Sequence, residues 1–214
     1  MDDTERGPLL GERFDHALLF ASRHHRLQVR KGTRVPYVAH LLQVAGLVLE
    51  AGGDEDLAIA ALLHDAIEDD AAGDADAVRR EIGEQFGARV LGIVEALTDA
   101  DTTPKPPWQA RKEAYLSRLR LETSPDILLV SCADKLHNVR SIIDALRVDG
   151  PTVWQRFNGG REGTLWYYRE LRAAYEHAGG TPLLVEYARA VADLDRLVRP
   201  MPDSDELDVE AEVT

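Results

Sequence analysis

Four side chains that can ligate a metal ion or move protons are concentrated in one short segment. The run AALLHDAIED, residues 60–69, places His64, Asp65, Glu68 and Asp69 directly after apolar residues. If this run continues as an α-helix, His64 and Glu68 share one face, and Asp65 and Asp69 share the adjacent one. An imidazole beside a carboxylate can bind a divalent metal, and a second carboxylate pair can take protons from water. The pattern predicts a hydrolytic metal site.

A purely structural role fits these residues poorly. Acids at the C-terminal end of a helix face the negative end of its macrodipole, where cations are preferred. Burying several carboxylates beside Leu62, Leu63 and Ile67 without a partner would cost several kcal/mol. A bound divalent cation removes both difficulties.

Two further candidates, His40 and Asp134, lie outside this segment. A lone histidine such as His40, four residues before Val44 on a helix face, is more often a core or surface residue than a ligand. Asp134 interrupts the apolar run 127–133, and Asn138 shares its helix face. An ion pair with Lys135 is the alternative for Asp134, but adjacent helical residues point about 100° apart, which disfavours that pair.

The combined set of two imidazoles and two carboxylates contains no thiolate. Such a mixed set suits octahedral Mn²⁺, Fe²⁺, Co²⁺ or Mg²⁺ better than zinc. The sequence does not choose among these ions. The candidate metal ligands are His40, His64, Asp65 and Asp134.

Helical periodicity dominates the elements that must position these side chains. Strand signals are nearly absent, so we predict an all-α fold with a single helical domain. Gly52-Gly53 and Gly87 are predicted helix stops, and Asp54 and Asp74 are predicted N-terminal caps. The predicted helices cover residues 14–21, 36–51 with Pro36 in the first turn, a segment from Asp54 that carries His64, and then 74–86, 90–97, 110–122, 125–148, 160–177 and 182–198. The proline-rich run 99–107 should form no regular element.

Length and charge limit the function classes. The 214 residues suffice for one substantial domain, and no run approaches the roughly 20 apolar residues that span a bilayer. The acidic N-terminus is not a secretory signal, and the single Cys132 predicts a thiol in a reducing cytosol. A net charge of −13 argues against nucleic acid as a partner. We predict a domain over residues 1–199 and a disordered acidic tail over 200–214, where six acids and no Lys or Arg occur.

The motifs occur in an order that resembles a known family. His40, His64-Asp65 and Asp134 resemble the H…HD…D signature of the HD-domain phosphohydrolases. The surrounding sequences resemble the hydrolase domain of RelA/SpoT-type enzymes from about residue 14 to 145. They are QVRKG at 28–32, PYVAH at 36–40, HDAIED at 64–69 and ADKLHN at 133–138. The chain has no room for a synthetase or regulatory domain, and so it resembles a stand-alone small alarmone hydrolase.

This resemblance implies a cytoplasmic, Mn²⁺-dependent enzyme of the stringent response. Its substrate would be guanosine 3′,5′-bis(diphosphate) or the corresponding 5′-triphosphate (ppGpp or pppGpp), which it would convert to GDP or GTP, respectively, and pyrophosphate. The family's metal ligands correspond to the four candidates given above. Glu68 and Asp69 would orient and deprotonate the attacking water, Arg30 and Lys31 would contact the base and phosphates, and Asn138 would lie on the ribose side.

Several alternatives remain open at this level. The protein could cleave another nucleotide, such as a dNTP, a nucleoside monophosphate or a dinucleotide 2′-phosphate, or it could be a nucleotide-binding regulator without catalysis. The aromatic residues from Trp154 to Tyr168 could form core and lid, or Trp154 or Phe157 could stack on substrate. Lys105, Arg111 and Lys112 could reach a pyrophosphate or be solvated charges.

Overall fold

The computed structural model describes residues 9–68, 74–100 and 104–199. In these ranges the chain forms α-helices and no strand apart from an isolated bridge between Val29 and Pro36, which confirms the predicted all-α class. The helices are α1 (Glu12–His24), α2 (Val38–Glu50), α3 (Glu55–Leu63), α4 (Ala75–Phe86), α5 (Ala88–Leu97), α6 (Trp108–Leu121), α7 (Pro125–Asp149), α8 (Gly160–His177) and α9 (Leu184–Leu197), with a 3-10 helix (Gly150–Arg156) before α8.

Helix α3 forms the centre of the core. Its start is capped as predicted, because the Asp54 side chain accepts a hydrogen bond from the Leu57 N–H. The residues from 58 to 63 are fully buried, and the helix packs against α1, α2, α5 and α7. Burial on every side explains why α3 is apolar around its whole circumference.

The long helix α7 crosses the same core. Ser124 caps its start by accepting from the Ile127 N–H, and Pro125 occupies the first turn, where its missing N–H is not needed. The helix packs against α2, α3, α5, α8 and α9. Asp134 therefore lies inside the molecule, beside the end of α3.

Two sequence predictions need correction near the functional residues. Helix α3 ends at Leu63, and residues 64–68 form consecutive turns, so the predicted pairing of helix faces through Glu68 is wrong. The Ala66 N–H bonds to the Leu63 carbonyl, three residues back, which tightens the chain out of α-helical geometry. Helix α2 begins at Val38, two residues after Pro36, because Pro36 pairs with Val29 instead.

Other predictions concern residues outside the described ranges. The acidic tail 200–214 lies there, as do residues 101–103 of the proline-rich run. No helix in the described part of the chain is long and apolar enough to cross a membrane.

A buried hydroxyl chain joins three helices near the site. Ser131 Oγ of α7 lies 2.8 Å from Tyr115 Oη of α6 and 2.7 Å from Tyr175 Oη of α8. We expect Ser131→Ala to lower the free energy of unfolding by about 1–3 kcal/mol, because it takes a hydrogen-bond partner from two buried phenols. Urea denaturation measures this difference, and the exposed Ser117→Ala on α6 is the control, with a change below about 0.5 kcal/mol. Equal effects in the two variants would contradict the prediction.

Candidate active site

The structure brings together the four candidate metal ligands from three helices. His40 lies in the first turn of α2, His64 and Asp65 follow the end of α3, and Asp134 lies in the middle of α7. Nε2 of His64 is 3.0 Å from Asp65 Oδ2 and 3.6 Å from Asp134 Oδ1. Nε2 of His40 is 3.2 Å from Asp134 Oδ1 and 3.7 Å from Asp65 Oδ2.

These spacings fit one divalent cation. Ligand atoms at neighbouring octahedral positions lie about 3 Å apart when each bond is about 2.1 Å. The Nε2 atoms of His40 and His64 are buried, and neither has a hydrogen-bond partner in the described part of the chain. Nδ1 of His64 lies 2.8 Å from the Ala61 carbonyl, which only accepts, so Nδ1 carries a hydrogen and Nε2 can present its lone pair. His40, His64 and Asp65 can therefore hold a metal ion.

The electrostatics of the cluster favour positive charge between the carboxylates. Burial opposes ionisation of Asp134, but the Lys135 ammonium and the two imidazoles hold its pKa well below the usual value. Burial also disfavours a charged His64, yet the Asp65 and Asp134 carboxylates raise its pKa well above the usual value. A divalent cation would supply the same compensation.

Two side chains that the sequence analysis did not single out hold the candidate ligands in place. Tyr37 donates from its hydroxyl to Asp65 Oδ2 at 2.5 Å. Nδ1 of His137 lies 2.7 Å from Nδ1 of His40. Burial, with the charges of His40 and Arg30, lowers the pKa of His137 to about 3, so His137 is neutral and can accept from His40. Both contacts join residues distant in sequence, although His137 lies within the quoted ADKLHN motif.

The contact between Lys135 and Asp134 also differs from the sequence prediction. Lys135 Nζ lies 2.6 Å from Asp134 Oδ2, so the adjacent pair that helix geometry disfavoured does form. The four-carbon stem of lysine bends back far enough to cover the 100° between neighbouring positions. Asp134 consequently presents Oδ1 to the imidazoles and Oδ2 to Lys135, and Asn138 also donates to Oδ1 at 2.5 Å.

Glu68 lies beside the cluster in a cationic environment. Its Oε1 is 3.0 Å from Lys105 Nζ and 3.6 Å from Arg111 Nη1. Burial and the charge of Asp65 raise the pKa of Glu68 above its usual value, although Lys105 acts in the opposite direction. Asp69, its predicted partner, lies outside the described residues.

A short loop before α2 presents the predicted substrate-binding residues. The Arg30 N–H donates to the Val35 carbonyl at 2.8 Å, and Gly32 has a φ of 72°, which allows the loop to turn. Arg30 donates to Asn138 Oδ1 at 2.7 Å, and its guanidinium lies 5.7 Å from the centre of the Tyr37 ring. Lys31 donates to Asn158 at 3.0 Å.

Three neighbouring clefts surround the cluster and share Asn138. The largest, about 650 Å³, is lined by Arg30, His40 and Tyr168 among others, and has an apolar wall. A small polar cleft of about 220 Å³ contains Asp65 and Asp134. A third, about 300 Å³, lies between α6 and α8. The small polar cleft and the largest cleft therefore both reach members of the cluster, and the third cleft adjoins them at Asn138.

The contact between His137 and His40 leads to a metal-binding prediction. We expect His137→Ala to weaken Mn²⁺ binding about 10- to 100-fold, because His40 loses the group that fixes its ring orientation. Titration of Mn²⁺ into metal-free protein, followed by electron paramagnetic resonance, measures this. The exposed His16→Ala on α1 is the control and should bind as wild type. Unchanged affinity in His137→Ala would show that His40 needs no such support.

Comparisons with known proteins agree with this geometry. A family model described as HD domain matches residues 17–165. The human guanosine-3′,5′-bis(diphosphate) 3′-pyrophosphohydrolase MESH1 is 38% identical over 132 residues, which cover 58% of this chain and 65% of the human protein. An Aquifex aeolicus protein with the same activity in its name is 36% identical over 137 residues, covering 63% of this chain and 18% of that protein. The match thus spans slightly less than two thirds of the human relative and a small part of the bacterial one.

Solved structures give the same result. A metazoan SpoT ortholog described as hydrolysing ppGpp superposes with a TM-score of 0.65 at 28% identity, covering 90% of this chain and 96% of that one. The protein lmo0812 of Listeria monocytogenes superposes with a TM-score of 0.63 at 30% identity, covering 73% and 99% respectively. With a family model matched over most of its length and these helical neighbours, this chain belongs to the HD-domain family.

Proposed function

We propose that this protein hydrolyses guanosine 3′,5′-bis(diphosphate) at the 3′-diphosphate, releasing pyrophosphate, with Mn²⁺ as cofactor. The observation that carries the proposal is the cluster of His40, His64, Asp65 and Asp134. Its two buried Nε2 atoms have no hydrogen-bond partner among the described residues, and three of its members line clefts: Asp65 and Asp134 the small polar cleft, and His40 the largest cleft. The relatives whose names state this activity support it.

In this proposal the large cleft receives the nucleoside. Arg30 can place its planar guanidinium against a purine while Asn138 holds it in position, and Lys31 supplies a point charge for phosphate. These cations lie at the mouth of the site in a protein whose net charge is −13, so they provide local positive potential for an anionic ligand.

The reaction requires an attack on the phosphorus atom nearest the ribose. The oxygen of water bonds to this phosphorus, the bond to O3′ breaks, and O3′ leaves with a proton. The products are pyrophosphate and GDP, or pyrophosphate and GTP when the substrate carries a 5′-triphosphate. His40, His64, Asp65 and Asp134 would hold a divalent cation, which would supply Lewis-acid chemistry by lowering the pKa of a nearby water and neutralising phosphate charge. Glu68 takes the proton of the water, and its raised pKa makes it a stronger base than an ordinary carboxylate. Asp69 is proposed as its partner.

Within the protein, Tyr37 and His137 act as positioning residues. The Tyr37 hydroxyl fixes one oxygen of Asp65, and His137 fixes the ring of His40. Lys135 forms an ion pair with Oδ2 of Asp134, so Oδ1 faces the imidazoles. The candidate ligands are therefore preorganised before substrate arrives.

The wider assignment is also a proposal. We infer that residues 1–199 form the catalytic domain, that 200–214 form a separate acidic tail, and that the protein acts in the cytoplasm on an alarmone of the stringent response. Hydrolysis of another nucleotide and a regulator without turnover are the alternatives. The raised pKa of Glu68 beside the cluster favours an enzyme over a regulator.

The proposed reaction predicts metal-dependent release of pyrophosphate. Purified protein should release it from guanosine tetraphosphate with Mn²⁺ and should stop after chelation. Asp65→Ala should reduce turnover at least 100-fold, since a candidate ligand is lost. Phosphate analysis by ion chromatography distinguishes pyrophosphate from orthophosphate. If the protein binds metal but cleaves only a different nucleotide, the proposed substrate is wrong and the proposed hydrolytic metal site is supported.

Glu68 gives a second prediction that separates binding from turnover. Glu68→Gln should lower kcat by about 10²–10⁴-fold, because the amide cannot accept the proton, while nucleotide affinity changes less than about threefold. Stopped assays and equilibrium binding measure the two quantities. Glu50→Gln, at the far exposed end of α2, is the charge-matched control. Full turnover in Glu68→Gln would exclude this carboxylate as the proton acceptor.

A further inference from the structure

Asp99 is a buried carboxylate to which the proposed reaction assigns no step. It follows the end of α5, and 7% of its side chain is exposed. The backbone before it is held in place, because Arg118 of α6 donates to the Thr98 carbonyl at 2.9 Å and the Thr98 N–H donates to the Val94 carbonyl at 3.1 Å. A carboxylate removed from water needs charged or hydrogen-bonding partners, and those of Asp99 lie beside Glu68.

Two cations of α6 bind one oxygen of Asp99. Oδ2 accepts from Arg111 Nη1 at 2.5 Å and from Lys112 Nζ at 2.7 Å. Oδ1 is buried and has no hydrogen-bond partner among the described residues, so a single oxygen holds both side chains. Burial opposes ionisation of Asp99, but Lys112, Lys135 and Arg111 hold its pKa below the usual value. Asp99 is therefore an anion at neutral pH.

The same Arg111 side chain lies close to Glu68. Its Nη1 is 3.6 Å from Glu68 Oε1, which is too long for a hydrogen bond. In the described part of the chain, Glu68 and Asp99 are the only carboxylates within ion-pair distance of Arg111. The Asp99 N–H also donates to the other Glu68 oxygen, Oε2, at 3.3 Å. Asp99 thus binds the cation that Glu68 would otherwise attract, and its backbone holds Glu68 in place.

An Arg111 side chain released from Asp99 would make Glu68 a weaker base. A guanidinium that pairs with a carboxylate lowers its pKa and occupies a lone pair that the carboxylate needs to accept a proton. Because only 12% of the Arg111 side chain is exposed, little water surrounds it to screen this charge. Lys105, which contacts Glu68 in the structure, is 39% exposed, so water screens its charge more strongly. The position of Arg111 therefore has the larger effect on Glu68.

We propose that Asp99 is a positioning residue for the proton transfer to Glu68. It keeps Arg111 bonded to itself and away from Glu68, and its N–H fixes Oε2, so a lone pair of Glu68 remains free to accept the proton of water. The inference rests on the proposed function, in which Glu68 is the proton acceptor. Asp99 acts through Arg111 and Glu68 and takes no proton itself.

Other charged groups also act on Glu68, and the test must separate Arg111 from them. Burial and then the charge of Asp65 raise the pKa of Glu68. Lys105 lowers it, and the charge of Asp99 raises it. A cation bound at the metal cluster acts on every variant alike, so only differences between variants are used. The remaining charged residues that line the clefts at Glu68 come from the loop before α2 and from α7, and they are Arg30, Lys31, Asp134 and Lys135.

Two charge-balanced double variants separate the position of Arg111 from the total charge. Asp99→Asn with Lys112→Met removes the anion and one of its cations, and it leaves Arg111 without its nearest carboxylate. Asp99→Asn with Arg111→Gln removes the anion and the other cation, and it leaves Lys112. Each variant keeps the net charge of the wild-type group. If the first variant does not fold, Asp99→Asn alone takes its place, since it also frees Arg111.

The pKa of Glu68 is measured by ¹³C NMR of the side-chain carboxyl groups, in the full chain loaded with diamagnetic Mg²⁺. Glu68→Gln identifies the resonance. The double variant that keeps Arg111 should lower the pKa of Glu68 by about 1 pH unit or more. The one that keeps Lys112 should stay within about 0.5 of wild type, because Lys112 forms no ion pair with Glu68 among the described residues. Asp195→Asn, which removes the ion-pair partner of Arg169, is the control and should leave this pKa unchanged.

The pH dependence of kcat gives an independent readout in the Mn²⁺-loaded protein. Glu68 must be ionised to accept a proton, so kcat falls as the pH drops through its pKa. This acid limb should move to lower pH in the variant that keeps Arg111, and kcat at neutral pH should fall about tenfold because the base is weaker. A change in folding alone would alter the melting temperature and leave the acid limb in place.

The outcomes distinguish this inference from the proposed function. Equal pKa values of Glu68 in the two double variants would overturn the inference. A lower pKa only where Arg111 is kept, with no pyrophosphate released from guanosine tetraphosphate by the wild type, would support the positioning of Glu68 and overturn the proposed reaction. Normal pyrophosphate release together with equal pKa values would support the reaction and overturn the role of Asp99.

Discussion

The cost of placing Asp65 and Asp134 beside two buried imidazoles is the constraint on which this structure depends. Carboxylates removed from water need positive charge close by, or they protonate. Lys135 neutralises one oxygen of Asp134, and the imidazoles face the other. The Nε2 atoms still have no hydrogen-bond partner among the described residues. A divalent cation at this point would compensate the carboxylates and give both nitrogens a partner.

The packing of the surrounding helices holds these side chains in fixed positions relative to one another. Helix α3 is buried on all sides and ends at Leu63, directly before His64, so the His64 ring is held by the Ala61 carbonyl in the last turn of that helix. Helix α7 carries Asp134 and Asn138 on one face, and Ser131 fixes its neighbours α6 and α8. A single rigid helix thus links the cluster to both larger clefts. Because these groups are already held in place, the site can stabilise the charge of a bound cation or phosphate without rearranging.

Local signals explain what could be predicted from the sequence. Helical periodicity gave the all-α class, and Asp54, Asp74 and Gly87 mark helix ends because caps act within a few residues. The prediction that the helix continues through Glu68 was wrong, because residues 64–68 form turns. The apolar run up to Leu63 contains no local signal that marks the end of α3. Tyr37 and His137 were not singled out, because their contacts join distant segments that only tertiary packing brings together.

Anomalous scattering from crystals grown with Mn²⁺ tests most directly whether one divalent cation binds among His40, His64, Asp65 and Asp134. We expect a single strong manganese peak within about 2.0–2.3 Å of Nε2 of both histidines and of one oxygen of each aspartate. A map with no peak there, or with manganese bound only at another group of acids, would rule out a metal site formed by these four residues.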